Sequence, residues 1–199
     1  AHPVLVNKYD DAGNVKGHRL TVDYRLLNKD TVPLSHPPPL LESISDQMYG
    51  YGVFSKVDCA KGFHQVLNDP ATRHKTAFRL GNQCYEWVTM PMGLSGSPAT
   101  YQAAMEMVLE PVLDKAAHLF YDDVLVKGRD DDDALLALEQ VLLRCEMFGV
   151  TLHPEKCEFF KTSVPFLGNV ISAQGVRQSE PKLAPNSDSA HPAPKKESK

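Results

Sequence analysis

No stretch of this 199-residue chain approaches the roughly 20 consecutive apolar residues that cross a bilayer. The opening Ala1-His2-Pro3 carries neither the basic nor the apolar region of a secretory leader. A membrane-spanning helix is therefore not expected, and an intracellular setting is. Cysteine is scarce: Cys59, Cys84, Cys145 and Cys157 form no close pair of zinc-ligand type and sit in apolar surroundings. Reduced, buried thiols are expected rather than disulfides or a metal knuckle. Positive charge is also short. The net charge is −4, and up to residue 176 there are 16 Lys/Arg against 22 Asp/Glu, a balance of −6. Any nucleic-acid partner must then be met by a local basic surface, by bound metal, or by segments outside this chain.

What is present reads as alternating short strands and helices. Two strand patterns, Pro3 to Asn7 and His18 to Tyr24, flank an Asp10-to-Asn14 turn signal. Pro33, Pro37, Pro38 and Pro39 exclude regular helix before a short one at Leu40 to Met48, and Gly52 to Asp58 reads as a core strand. A second hairpin is expected where Thr76–Arg79 and Tyr85–Val88 flank Gly81-Asn82. Ser97 before Pro98 predicts a helix N-cap, with the helix running from Ala99 to Leu113. The run Asp130 to Asp133 lacks the ligand alternation of a calcium loop and reads as a helix N-terminus. In that helix Leu135, Leu138, Leu142 and Cys145 are expected to line the buried face, with Gly149 as its stop. Strands at Val150–Leu152 and Phe166–Ile171 follow, and residues 177–199 form a proline-bearing polar tail expected to be disordered. The order suggests an α+β domain, an antiparallel sheet with helices packed on one face.

The chemistry lies in two acidic spots. Asp58 ends a core strand, and Asp122-Asp123 interrupts the apolar run from Ala117 to Val126 where a hairpin should turn. Adjacent carboxylates beside apolar strands suffer repulsion and desolvation that a divalent cation cancels. If the two strands are sheet neighbours, three carboxylates converge into a site for paired magnesium ions and in-line phosphoryl transfer. Taken alone, such spots are more often a strand end and a solvated turn.

Seven motifs then occur in order: LTVDYRLLNK (Leu20 to Lys29), FSKVDCAKGFHQV (Phe54 to Val66), KTAF (Lys75 to Phe78), MPMGLSGSPATYQ (Met90 to Gln102), FYDDVLV (Phe120 to Val126), GVTLHPEKCEFF (Gly149 to Phe160) and FLGNVIS (Phe166 to Ser172). On these motifs residues 3 to 176 resemble the reverse transcriptases of gypsy-type long-terminal-repeat retrotransposons. The resemblance implies a right-hand polymerase fold, with fingers at about residues 1–50 and 72–92 and palm over the remainder to 176. It implies an RNA-directed DNA polymerase, a nucleotidyltransferase that adds deoxynucleotides to a primer 3'-hydroxyl.

Carried over by position, it makes Asp58, Asp122 and Asp123 the metal site for two Mg2+ ions, Asp58 and Asp122 ligating both and Asp123 supporting, with Mn2+ able to substitute, and Lys156 the acid for departing pyrophosphate. Arg19, Lys8, Lys61 and Gly62 would meet the triphosphate. Phe63 would bar a ribose 2'-hydroxyl, and Met92 and Gly93 would contact the nucleotide. Gln102 would approach the template, and Phe166, Leu167 and Gly168 would grip the primer. Implied partners are a primed RNA or DNA template, deoxynucleoside triphosphates, and other polyprotein regions (thumb, ribonuclease H, integrase). A cytoplasmic location, or one in retroelement particles, goes with them. Met92 stands where the family usually carries phenylalanine, and His18 where it often carries tryptophan. The alternatives are a catalytically inactive retroelement remnant and, more remotely, a palm-like nucleotidyl cyclase.

Overall fold

The computed structural model describes residues 1–10, 13–32, 34–37, 39 and 41–179. The Asp11-Ala12 tip of the expected first turn, Pro33, Pro38, Leu40 at the start of the expected Leu40–Met48 helix, and residues 180–199 lie outside the described residues. Strands β1 (His2–Tyr9) and β2 (Val15–Asp23) form the first hairpin, pairing Val6 with Arg19 and Lys8 with Gly17. Short helices α1 (Arg25–Lys29) and α2 (Leu41–Asp46) follow. The core strand is β3 (Val53–Asp58), and β4 (Phe78–Leu80) and β5 (Gln83–Tyr85) make a hairpin across Gly81-Asn82 as expected.

Helix α3 (Ser97–Leu109) is shorter than its sequence suggests and starts differently. Gly96 is its N-cap, because the Ser97 hydroxyl donates instead to Pro91 O at 2.9 Å, and Pro111 prevents continuation to Leu113. Strands β6 (Ala117–Phe120) and β7 (Asp123–Gly128) precede helix α4 (Asp131–Met147). The aspartate run does start this helix: the Asp133 N–H donates to Asp130 Oδ1 at 2.9 Å and the Arg129 N–H to Asp133 Oδ2 at 3.0 Å.

Its buried face is Ala134, Ala137, Leu138, Val141 and Cys145, while Leu135 is 54% exposed. The expected Leu135/Leu142 stripe is rotated because α4 sits close against β7. A Cβ on Gly128 would lie 2.3 Å from Ala134 N, so small residues must face the sheet there.

The central sheet is antiparallel in the order β6-β7-β3-β8, where β8 is Glu158–Lys161. Of the expected Val150–Leu152 strand only a bridge between Leu152 and Cys59 exists; β8 takes the place beside β3. Phe166–Ile171 is not one strand but a hairpin, β9 (Ser163–Phe166) and β10 (Asn169–Ser172), turning on Leu167 (φ 52°) and Gly168 (φ 74°). Strand β11 (Gly175–Gln178) pairs with β10, so Arg177 and Gln178 are ordered strand residues and not the start of a disordered tail.

Alternation along β3 and β7 divides the core. Val57, Val124 and Val126 pack with Tyr101, Met105 and Leu109 of α3 and with Val141 of α4. Phe54 and Leu125 face the other way, onto Ile44, Met48, Val164, Phe166 and Ile171. The two long helices thus cover one face. The β9–β10 hairpin and α2 cover the other. The thiols of Cys59 and Cys145 are buried as expected, Cys157 is half-buried, and Cys84 on the short β5 is exposed. Among the described residues no helix is long and apolar enough to cross a membrane.

Candidate active site

The register of β3 with β7 makes Asp58 the direct partner of Asp123, so both side chains leave the same face of the sheet. Asp122 precedes Asp123 in the β6–β7 turn, where the Cys59 N–H donates to Asp122 O at 3.1 Å. The turn needs Tyr121 at φ 53°, an unfavourable conformation for a bulky side chain, and its backbone is held: the Tyr121 N–H donates to Gln102 Oε1 at 2.8 Å. Asp58 is nearly buried, at 8% exposure, whereas Asp122 is exposed at the turn.

Each of the two paired carboxylates carries a lysine. Lys156 Nζ lies 3.3 Å from Asp58 Oδ1, and Lys56 Nζ lies 3.0 Å from Asp123 Oδ1. The 3-10 turn of Pro154–Lys156 presents Lys156, anchored where the His153 N–H donates to Asp58 O at 2.9 Å. Among the described residues no group of three or more His, Cys, Asp or Glu is gathered closely enough to form a ready metal-ligand cluster. Even so, a carboxylate-only donor set at one sheet end, already neutralised by cations, fits a hard divalent ion.

After β3 the chain turns at Lys61 (φ 51°) into a 3-10 turn, Gly62–Gln65. Gly62 is buried against Tyr101, and a Cβ there would lie 2.7 Å from the Tyr101 hydroxyl. The Phe63 ring meets the Tyr101 ring edge-on, centroids 5.5 Å apart. Gln65 closes the loop: its Nε2 donates to Ala60 O and Thr151 O, and its Oε1 accepts from the Thr151 N–H. Burial, and then the charges of Lys61 and Arg19, hold the His64 imidazole below its usual pKa. Lys8 shares a hairpin face with Arg19 and is exposed. Burial pushes the thiol of Cys59, the residue after Asp58, up to about 12.

Met92 is half-buried and Gly93 exposed, with φ 96°; a Cβ on Gly93 would lie 3.1 Å from Val22 O. Asn28 latches this loop, donating from Nδ2 to Gly93 O at 2.9 Å and accepting the Ser95 N–H at Oδ1, also at 2.9 Å. Sequence reasoning assigned Asn28 no role, although it lies within the LTVDYRLLNK motif; an asparagine just past two leucines of a short helix was the available signal. Gln102 is fully buried. Besides holding Tyr121 it donates to Glu106 Oε1 at 2.9 Å, and Glu106 Oε2 meets His36 Nε2 at 2.7 Å. Phe166 is buried in the lower core, and Leu167 and Gly168 form the hairpin tip. Phe120, beside the acids, packs on that same core cluster. A separate cavity of about 570 Å3 lies away from the acids, between Asp23, Arg25, Lys29 and Lys75. There the Arg25 fork holds the Asp23 carboxyl down to about 2.

The family model described as reverse transcriptase (RNA-dependent DNA polymerase) matches residues 6–171. The chain is 32% identical over 179 residues to the retrovirus-related Pol polyprotein from transposon 297 of Drosophila melanogaster, covering 90% of this chain and 17% of that protein. It is 35% identical over 150 residues to the enzymatic polyprotein of Cauliflower mosaic virus (strain D/H), 75% of this chain and 22% of that one. To the Drosophila melanogaster polyprotein from transposon gypsy it is 29% identical over 180 residues, again 17% of that protein. The chain therefore spans about a fifth or less of these relatives. Among solved structures it superposes on the foamy viral protease-reverse transcriptase in complex with double-stranded DNA (TM-score 0.78, 22% identity, 88% of this chain and 30% of that chain). The same viral protein in complex with an RNA/DNA hybrid gives a TM-score of 0.76 at 20% identity, covering 89% and 23%.

Proposed function

Because this chain belongs to the reverse transcriptase (RNA-dependent DNA polymerase) family, we propose that it is the fingers and palm of a retrotransposon enzyme that extends a primer 3'-hydroxyl with deoxynucleotides. The observation that carries the reading is the pairing of Asp58 with Asp123 beside Asp122, which puts three carboxylates at one end of the sheet. In this reading Asp58 and Asp122 hold two Mg2+ ions, and Mn2+ would serve in their place. Bound there, the ions would lower the pKa of the primer hydroxyl and neutralise charge on the transferring phosphoryl group.

The remaining residues orient the reactants. Arg19, Lys8 and Lys61 meet triphosphate oxygens, and the backbone at Gly62 approaches closely because no Cβ fits against Tyr101. Phe63, braced by Tyr101, presents its ring to the sugar. Met92 and Gly93 flank the nucleotide on a loop that Asn28 immobilises. As the primer oxygen bonds the α-phosphorus, the bond to pyrophosphate breaks. Lys156, 59% exposed and free to swing from Asp58, supplies that leaving group's proton. Leu167 and Gly168 support the primer, whereas Gln102, expected to approach the template, is fully buried and instead holds the Tyr121 turn. The fingers would comprise residues 1–50 and 72–92. DNA and RNA/DNA hybrid are bound by the foamy viral protein, and a primed template is the proposed partner here. An inactive remnant is not favoured, since no acid of the set is missing.

Magnesium titration during primer extension on a primed RNA tests the reading. Extension should rise with magnesium and vanish with chelator; none at any metal concentration refutes it. In the same assay Phe63→Ala should raise ribonucleotide relative to deoxynucleotide incorporation by about tenfold, the size of a modest steric discrimination. An unchanged ratio would remove the gate role from Phe63.

A further inference from the structure

The two lysines at the acids differ in kind. Lys156 reaches Asp58 from a surface 3-10 turn and is 59% exposed, so solvent can take its ammonium whenever another cation arrives. Lys56 lies within β3, two residues before Asp58 and on the same face, and its side chain is only 19% exposed where it meets Asp123, itself 24% exposed. Its neighbour across the sheet is Glu158 of β8, directly opposite. An ammonium 19% exposed and held 3.0 Å from Asp123 is short of water, and pulling it off that carboxylate would leave a poorly hydrated charge without a partner.

We propose that Lys56 is a positioning residue that permanently occupies Asp123, withholding this carboxylate from the metal ligands, so that Asp58 and Asp122 alone bind the ions. The inference rests on the metal-dependent reading above and refines it. Asp123 then acts by fixing the end of β7 opposite Asp58. Lys56 sets how strongly the site attracts a cation: without it, Asp123 becomes a third available carboxylate and the site over-binds metal.

Binding of Mn2+ alone to the chain, followed by the electron paramagnetic resonance signal of the free ion, separates the possibilities without any turnover. Asp123→Asn, which leaves the Lys56 ammonium uncompensated, should weaken binding by no more than about threefold. Lys56→Met should tighten it about three- to tenfold, Lys56→Arg should behave as wild type, and the double variant Lys56→Met/Asp123→Asn should return to the wild-type value. The proposal is overturned if Asp123→Asn weakens binding tenfold, or if Lys56→Met leaves it unchanged while melting normally. Asp58→Asn and Asp122→Asn provide the separate check: if neither weakens Mn2+ binding, or wild type binds none, the metal reading itself fails along with its refinement. Should Lys56→Met not fold, the comparison of Asp123→Asn with Asp122→Asn still decides, since equal losses would make Asp123 a ligand.

Discussion

Replacing Asp122 with asparagine is expected to cut primer extension at least a thousandfold, roughly 4 kcal/mol of barrier, while leaving the fold intact. Asparagine keeps the shape of the turn, and the contact that Asp122 makes across to β3 is through its backbone carbonyl, which accepts the Cys59 N–H and survives the change. The side chain is exposed, so the stability effect should stay within about 0.5 kcal/mol. What disappears is one negative charge at the point where cations and phosphates must meet. The measurement is single-turnover extension on a primed RNA beside a thermal melt of the same preparation. Extension within tenfold of wild type would overturn the assignment of Asp122, and a lowered melting temperature would make the loss uninformative about chemistry.

The second large effect is structural. Gly128→Ala places a methyl group 2.3 Å from Ala134 N and 2.4 Å from its Cα, contacts with backbone that no rotamer change relieves. Helix α4 must then back away from β7 and open the packing of Ala137, Leu138 and Val141 against the sheet. Overpacking of this severity should destabilise the chain by about 3 kcal/mol, lowering the melting temperature by roughly 6–12 °C for a domain of this size. Gly17→Ala is the matched control: nothing lies within 4 Å of a Cβ at that position. A shift below 2 °C for Gly128→Ala, measured by circular dichroism, would mean that the approach of α4 to β7 is looser than described.

The contrast between those two sites shows what a linear reading can reach. Asp58 and Asp122-Asp123 stood out because charge interrupts apolar runs, and the strand-turn-strand pattern around the pair located the turn correctly. Register was beyond it: that Asp58 opposes Asp123 follows from long-range pairing of β3 with β7, and nothing local specifies it. The buried face of α4 was misjudged for a related reason. Leucines attracted the reading, yet at a close helix–strand contact alanine is the residue that fits, and Leu135 is pushed outward. Strand β8 escaped notice because its side chains are largely exposed and lack alternation, so only its backbone pairing with β3 reveals it. Ser97 showed every local sign of a cap, and a tertiary acceptor, Pro91 O, took its hydroxyl instead. Lys56 gave no signal at all, being one lysine among many until the sheet set it against Asp123.

The chain of contacts from the Tyr121 backbone through Gln102 and Glu106 to His36 makes α3 a crossbeam between the acidic turn and a strap at residues 34–37. A load applied to the strap is carried to the Tyr121 turn through two side chains of one helix. The carboxylates and the strap should therefore shift as one body, and a weakened His36–Glu106 link would be felt first as wobble at the acids.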